Sequence, residues 1–303
     1  MSDKRILIIG SVAIDSIETP FGKRNSILGG SATYSSISAS FFNKDVNIVA
    51  VVGRDFPKAH TSLLARRGIG LDGLEVADGK TFRWKGNYRY DLNSPRTIYT
   101  HLNVFKDFKP FVPAGLRNCP YVFLANIDPD LQDEVLSQVK GPKLVLCDTM
   151  NFWIQSKRKS LLKLMKKVDM FLMNEGEARL LSGETNLIKC AKFAMSKGAR
   201  SVIIKKGEHG VLFFSKRFNC AVPAYLLETI RDPTGAGDSF AGGMMGYLSY
   251  KRKASERNLR KSLVYGSIMA SFAVEDFSVR RLLGLKRRDV ERRYNRFLDT
   301  TRF

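Results

Sequence analysis

The segment Asp232-Pro-Thr-Gly-Ala-Gly-Asp-Ser-Phe-Ala-Gly-Gly243 decides how the rest of this sequence is read. Gly235 and Gly237 flank Ala236, just ahead of a run of small residues: Ser239, Ala241, Gly242, Gly243 and Gly246. The pattern predicts a glycine-rich loop that opens into a helix. Such a loop leaves backbone N–H groups free at the positive end of the helix dipole, where they can hold a phosphoryl-like anion. Asp238 falls at the helix start, placed to take a proton from an attacking hydroxyl. The plainer alternative is an Asp cap on a glycine turn.

Upstream, short apolar runs alternate with helical patterns. Arg5–Gly10, Asn47–Gly53, Tyr121–Ala125, Lys143–Asp148, Met170–Met173, Ser201–Lys205 and Val211–Phe214 read as strands. Helices are expected over 31–42, 60–67, 131–139, 160–167, 177–181 and 188–197. Alternation of this kind argues for an α/β fold: a mostly parallel central sheet with helices on both faces. Thr81–Val104 breaks the rhythm. Phe82, Trp84, Tyr88 and Tyr90 alternate around Gly86-Asn87, which predicts a hairpin turning there. Period-two spacing sets Arg83, Lys85 and Arg89 on the opposite face. Together with about 15–27, the segment reads as a small β-rich lid inserted in one domain spanning 1–303.

Composition narrows the class. Hydrophobic residues make up 44% of the 303, enough for a full core. No apolar stretch reaches the length of a membrane helix, and the start of the chain has no cleavable-leader pattern. A cytoplasmic location is expected, with no membrane partner. Cys119, Cys147, Cys190 and Cys220 are too far apart for a Cys-x-x-Cys site and read as reduced thiols. His60, His101 and His209 form neither a triad nor a metal-ligand pair. The formal charge of +21, from 50 Lys and Arg against 29 Asp and Glu, raises an anionic partner as a question. The basic runs are scattered and carry no interleaved aromatics, so nucleic acid is not the expected partner.

The 232–243 segment resembles the signature of the PfkB, or ribokinase-like, carbohydrate kinase family, and further motifs follow in that family's order over nearly the whole chain. The resemblance implies a three-layer α/β/α fold and transfer of the γ-phosphoryl group of ATP to a primary hydroxyl of a sugar or nucleoside. Asp238 is then the base, and Gly235, Ala236 and Gly237 the anion loop. Gly29-Gly30-Ser31 through Tyr34 resembles the di-glycine motif at the substrate pocket, and Asp15 the acid that binds substrate hydroxyls. Val52-Gly-Arg-Asp55 resembles a Val-Gly-x-Asp turn. Asn174-Glu-Gly-Glu177 matches the Asn-x-x-Glu motif, which implies magnesium held by Glu177 through water, although Asn before Glu at a helix start is also an ordinary cap. Lys206, Gly207 and Gly210 fall at the nucleotide-side turn, and Ser267 and Ala270 on the helix bordering adenine. Asp232 and Thr234 lie where relatives hold a potassium ion. Asp148 and Asn151, after a strand end, are placed in the ligand cleft, or else only cap the next turn.

Ribokinases proper have Gly-Gly-Lys-Gly-Ala-Asn where this chain has Ser31 and Tyr34, which speaks against ribose. The Ser is closer to adenosine kinases; the Tyr could stack on a ring or partly fill the sugar pocket. The lid aromatics would suit a nucleobase, or simply pack the lid. Arg83, Lys85, Arg89 and Arg96 raise a sugar-phosphate kinase as an alternative, and a non-catalytic sugar- or nucleoside-binding regulator is another. A homodimer through the lid is compatible with the family.

Overall fold

The computed structural model describes residues 3–90, 92 and 95–302. The chain opens with β1 (Ile6–Ile9), β2 (Ala13–Thr19), β3 (Gly22–Gly29) and α1 (Ser31–Ala39). Next come β4 (Val46–Gly53), α2 (Lys58–Arg66), β5 (Ile69–Ala77), β6 (Arg83–Asn87) and β7 (Arg96–His101). The middle holds β8 (Tyr121–Leu124), α3 (Pro129–Gln138), β9 (Leu144–Cys147), α4 (Asn151–Ser156), α5 (Arg158–Met165), β10 (Met170–Asn174), α6 (Glu175–Ser182) and α7 (Leu187–Ser196). The rest is β11 (Ser201–Lys205), β12 (Val211–Ser215), β13 (Asn219–Val222), α8 (Ala236–Lys251), α9 (Glu256–Ala273), α10 (Arg280–Leu283) and α11 (Arg287–Thr301).

Nine strands form one sheet in the order β13-β12-β11-β10-β9-β8-β1-β4-β5, parallel from β11 through β5, with β12 and β13 added antiparallel at one edge. The parallel strands are apolar throughout because both faces are covered. Alternate residues feed the two sides. Ile6, Ile8, Phe123, Leu146, Leu172 and Ile203 pack with α1, α8, α9 and α11. Leu7, Ile9, Val122, Val145, Phe171 and Val202 pack with α3, α5, α6 and α7. This is the expected three-layer α/β/α architecture. No helix among the described residues is long and apolar enough to cross a membrane.

Helices α1 and α8 meet unusually closely. A Cβ on Gly242 would lie 2.2 Å from the Ser35 carbonyl oxygen, and one on Gly246 2.7 Å from that of Ala39. The hydroxyl of Ser38 donates to the Ser239 carbonyl at 2.6 Å. The small residues of both helices therefore serve one contact, and that contact carries the di-glycine segment to the glycine-rich loop.

A second sheet has the order β3-β2-β6-β7. Its inner face buries Ile17, Tyr88 and Phe277, with Trp84 and Ile27 packed against them. The expected turn at Gly86-Asn87 is not there. Both residues lie inside β6, opposite Thr97 and Arg96. The register slips between Lys85 and Gly86, and the indole of Trp84 covers Gly86, where a Cβ would lie 2.2 Å from it. The glycine makes room for a ring. The slip also breaks the two-face alternation. Phe82 packs on Phe105 of the main body, Tyr88 is buried, and Tyr90 is 86% exposed.

Candidate active site

Five carboxyl groups and one ammonium gather at the carboxyl ends of β9, β10 and β11 and beside the start of α8. Gly235 caps α8 at φ 75°, ψ 4°, a left-handed conformation that glycine adopts without strain. Asp238 follows in the first turn. Burial pushes its carboxyl up to about 7, and Asp148 adds to that while Lys205 opposes it. The four residues of the predicted anion loop and base thus occupy one helix N-terminus.

Asp15, on β2, is buried against the di-glycine segment. Its Oδ2 fills the space a Cβ on Gly29 would need, and the Gly30 N–H donates to its carboxylate. Burial, with Asp232 and Asp238 nearby, pushes Asp15 up to about 8. Gly30 has φ 97°, and a Cβ there would strike the Ser11 carbonyl oxygen at 2.4 Å. Ser31 is tied down: its N–H donates to Ser11 Oγ at 3.0 Å, and its Oγ accepts from Ser11 N–H at 3.1 Å.

Tyr34 is 1% exposed, its ring lies against Gly235, and its hydroxyl has no hydrogen-bond partner among the described residues. Burial, then Asp232 and Asp15, push that phenol well above its usual range. Asp232 is fully buried. Its Oδ1 accepts from Thr234 N–H at 2.9 Å and its Oδ2 from Ser278 N–H at 3.3 Å. Thr234 Oγ1 lies 3.1 Å from the Tyr88 hydroxyl, which links the second sheet to the loop.

Asn174 and Glu177 make a reciprocal capping box at the start of α6. Glu177 Oε2 accepts from Asn174 N–H at 2.6 Å, and Asn174 Oδ1 from Glu177 N–H at 2.8 Å. The ordinary-cap reading is therefore realised. Glu177 is nonetheless buried and faces the cluster: burial first pushes it up to about 7, Lys205 pulls it down, and Asp148 and Asp238 raise it.

Asp148 is 3% exposed and accepts from Lys205 Nζ at 3.0 Å and 2.8 Å. Asn151, by contrast, is the exposed first residue of α4 and stands outside the cluster. Lys206 holds the Gly207–Gly210 turn through its backbone, its N–H donating to Gly210 O at 2.8 Å. Gly210 is buried beside Val222, while Ser267 and Ala270 lie along α9.

The residue that sequence reasoning passed over is Lys205. The sequence marks it only as the end of a strand, yet its side chain enters the cleft to meet Asp148. The signal was its position at the carboxyl end of β11. Ser11, Asn126 and Thr149 also line up here without having been singled out. Asn126 Oδ1, Thr149 Oγ1 and Trp153 Nε1 are buried and have no partner among the described residues.

Asp148, Glu177 and Asp238 face Lys205, and Asp15 and Asp232 lie on the other side of Asp238 with no lysine acting on them among the described residues, so the cleft is acidic. An anionic ligand there needs both the N–H groups of the loop and a counter-cation. Among the described residues no three His, Cys, Asp or Glu side chains form a direct metal cluster. Glu177, with one oxygen in the capping box, fits a cation held through water better than one ligated directly.

The family model described as pfkB family carbohydrate kinase matches residues 3–283. A cytidine kinase of Thermococcus kodakarensis is 29% identical over 255 residues, covering 83% of this chain and 91% of that protein. The crystal structure of the Methanocaldococcus jannaschii nucleoside kinase superimposes with a TM-score of 0.77 at 21% identity, over 97% of this chain and 98% of that one. An E. coli ribokinase II structure in complex with ATP and Mg2+ gives 0.78 at 18% identity, over 96% and 99%. At these identities the two structures establish the fold alone.

Proposed function

This chain belongs to the pfkB family of carbohydrate kinases, and on that footing we propose that it transfers the γ-phosphoryl group of ATP to a primary hydroxyl of a nucleoside. The observation that carries the reading is Asp238 in the first turn of α8, next to the backbone N–H groups of Gly235, Ala236 and Gly237, of which that of Ala236 donates to the Pro233 carbonyl at 3.2 Å. Asp238 takes the proton of the acceptor hydroxyl as it attacks in line. The loop N–H groups hold the charge of the moving phosphoryl group. Asp15 and the backbone of Gly29 and Gly30 orient the acceptor. Magnesium, when bound with ATP, neutralises phosphate charge; Glu177 would hold it through water, and Asp232 with Thr234 would be the place for a potassium ion. Lys206, Gly207, Gly210, Ser267 and Ala270 line the nucleotide side.

A nucleoside is favoured over ribose by Ser31 in the di-glycine motif and by the similarity to the cytidine kinase over most of both chains. The sugar-phosphate alternative loses a key cation, because Arg83 donates to Asp55 at 2.7 Å instead of facing the cleft. The second sheet acts as the lid, with Tyr88 touching Thr234 as it closes. Phe21 and Ile98, exposed on that sheet, offer apolar surface for a second copy. A regulator without catalysis would have no need of Asp238.

The test is ADP release with ribose, fructose, 2-keto-3-deoxygluconate, fructose 6-phosphate, adenosine, inosine and cytidine. Strongest turnover on a nucleoside is expected. Release on none of them sinks the kinase reading and favours the regulator.

A further inference from the structure

Lys205 closes β11 with its side chain 18% exposed, and both oxygens of the nearly buried Asp148 receive its ammonium. The same nitrogen lies 3.1 Å from where a Cβ on Gly237 would be, so it sits directly against the backbone of the anion loop. Gly237 is the residue whose missing side chain makes that approach possible. Neighbouring strands supply the surroundings: Asp148 directly follows β9, β10 leads into Glu177 and β11 ends in Lys205, while Asp238 arrives from α8. Stability gives a poor reason for the pair. Desolvating two ions costs about what their attraction returns, and well-packed apolar replacements are often no less stable. A charge kept under the loop at that cost has a use there.

We propose that Lys205 is a positioning residue of the phosphoryl-transfer site. Its ammonium, anchored by Asp148 and seated against Gly237, gives the anion loop a fixed positive charge that holds the terminal phosphate of ATP in line with Asp238. The inference rests on the kinase reading above. Lys205 acts through the loop N–H groups, which are the atoms that meet the phosphate. The field of one buried ammonium is felt most by the phosphate nearest it and least by the adenosine end of the nucleotide.

The test compares binding of Mg-ATP and of AMP to the full chain by calorimetry. Lys205→Met leaves Asp148 as an unpaired buried carboxylate, so the double variant Lys205→Met with Asp148→Asn is measured beside it and keeps the comparison available if the single variant does not fold. Expected in both is ATP binding weakened about tenfold or more with AMP binding unchanged. Equal weakening of ATP and AMP, or no change in either, overturns the proposal. Wild-type protein that binds ATP tightly but releases no ADP with any acceptor sinks the kinase reading while the binding comparison still decides the role of Lys205. Failure of the wild type to bind ATP overturns both.

Discussion

The ring of Tyr34 lies flat against Gly235, so close that a Cβ on the glycine would come within 2.4 Å of two ring carbons. One contact joins the di-glycine segment to the anion loop, and it explains why the loop needs a glycine twice over. The backbone there is left-handed, and the space beside it is taken by a ring.

Gly235→Ala tests that arrangement. The alanine must hold a left-handed backbone at about 1–2 kcal/mol and also displace a fully buried ring. The loop will shift, and its N–H groups with it. Turnover is expected to fall by roughly 100-fold or more, in line with loss of an oxyanion donor. Unchanged ADP release would mean that the loop does not hold the transferred group.

Tyr34→Phe removes a buried hydroxyl that has no partner among the described residues. An unsatisfied buried polar group costs about 1–3 kcal/mol, so the variant should be more stable by about 1 kcal/mol in denaturant melts. If the acceptor uses the hydroxyl, KM for the acceptor rises while KM for ATP stays put. A less stable Phe variant would show that the hydroxyl is satisfied in solution.

The acidic cluster sets stability against activity as pH changes. Asp238 and Glu177 are pushed up to about 7 and Asp15 to about 8, all first by burial. In the folded state these groups keep protons that an unfolded chain releases near pH 4. The stability they contribute is complete below pH 4 and is lost as pH rises through about 7 to 8. Thermal melts of the magnesium-free protein should therefore fall between pH 5 and pH 8, and Asp15→Asn should flatten that fall. Activity runs the other way. The base must be ionised, so kcat/KM should climb through about pH 7, as a property of the coupled cluster. Asp238→Asn should lower turnover by roughly 1,000-fold above about pH 7, with the deficit shrinking at lower pH as the wild-type base takes up its proton.

The main sheet was legible because its strands are continuous apolar runs, and the anion loop because its glycines sit before a small-residue helix. The reading failed where local pattern and tertiary contact compete. Gly86 looks like a turn residue but exists to admit the Trp84 ring. The glycines at 242 and 246 read as part of a signature; only the packed helices reveal that they let α8 touch α1. Lys205 was hidden for a different reason. A lysine at a strand end usually reaches solvent, and nothing local says that Asp148, 57 positions away, will take it inside. Asn151 went the other way: it belongs to a plausible motif, but the chain turns it outward at the start of α4.

Asp55, from the Val52–Asp55 turn, ties the second sheet to the main body and offers the last prediction. Its Oδ1 accepts from Thr81 N–H at 2.6 Å and Thr81 Oγ1 at 2.7 Å, and its Oδ2 accepts from Arg83. Thr81 Oγ1 in turn accepts from Gly53 N–H at 3.0 Å. The carboxylate thus clamps the point where the chain leaves the body to begin β6. Burial alone would raise its pKa, but the hydrogen bonds from Thr81 and Arg83 win and hold it low. Asp55→Ala leaves the buried Thr81 N–H and hydroxyl without their acceptor, at about 1–3 kcal/mol. The loosened strand should move Tyr88 away from Thr234, so KM for the acceptor should rise several-fold more than KM for ATP. Asp55→Asn keeps one acceptor oxygen and should recover part of the loss. If both variants raise the two KM values equally, the turn serves the body of the protein and has no part in positioning the second sheet.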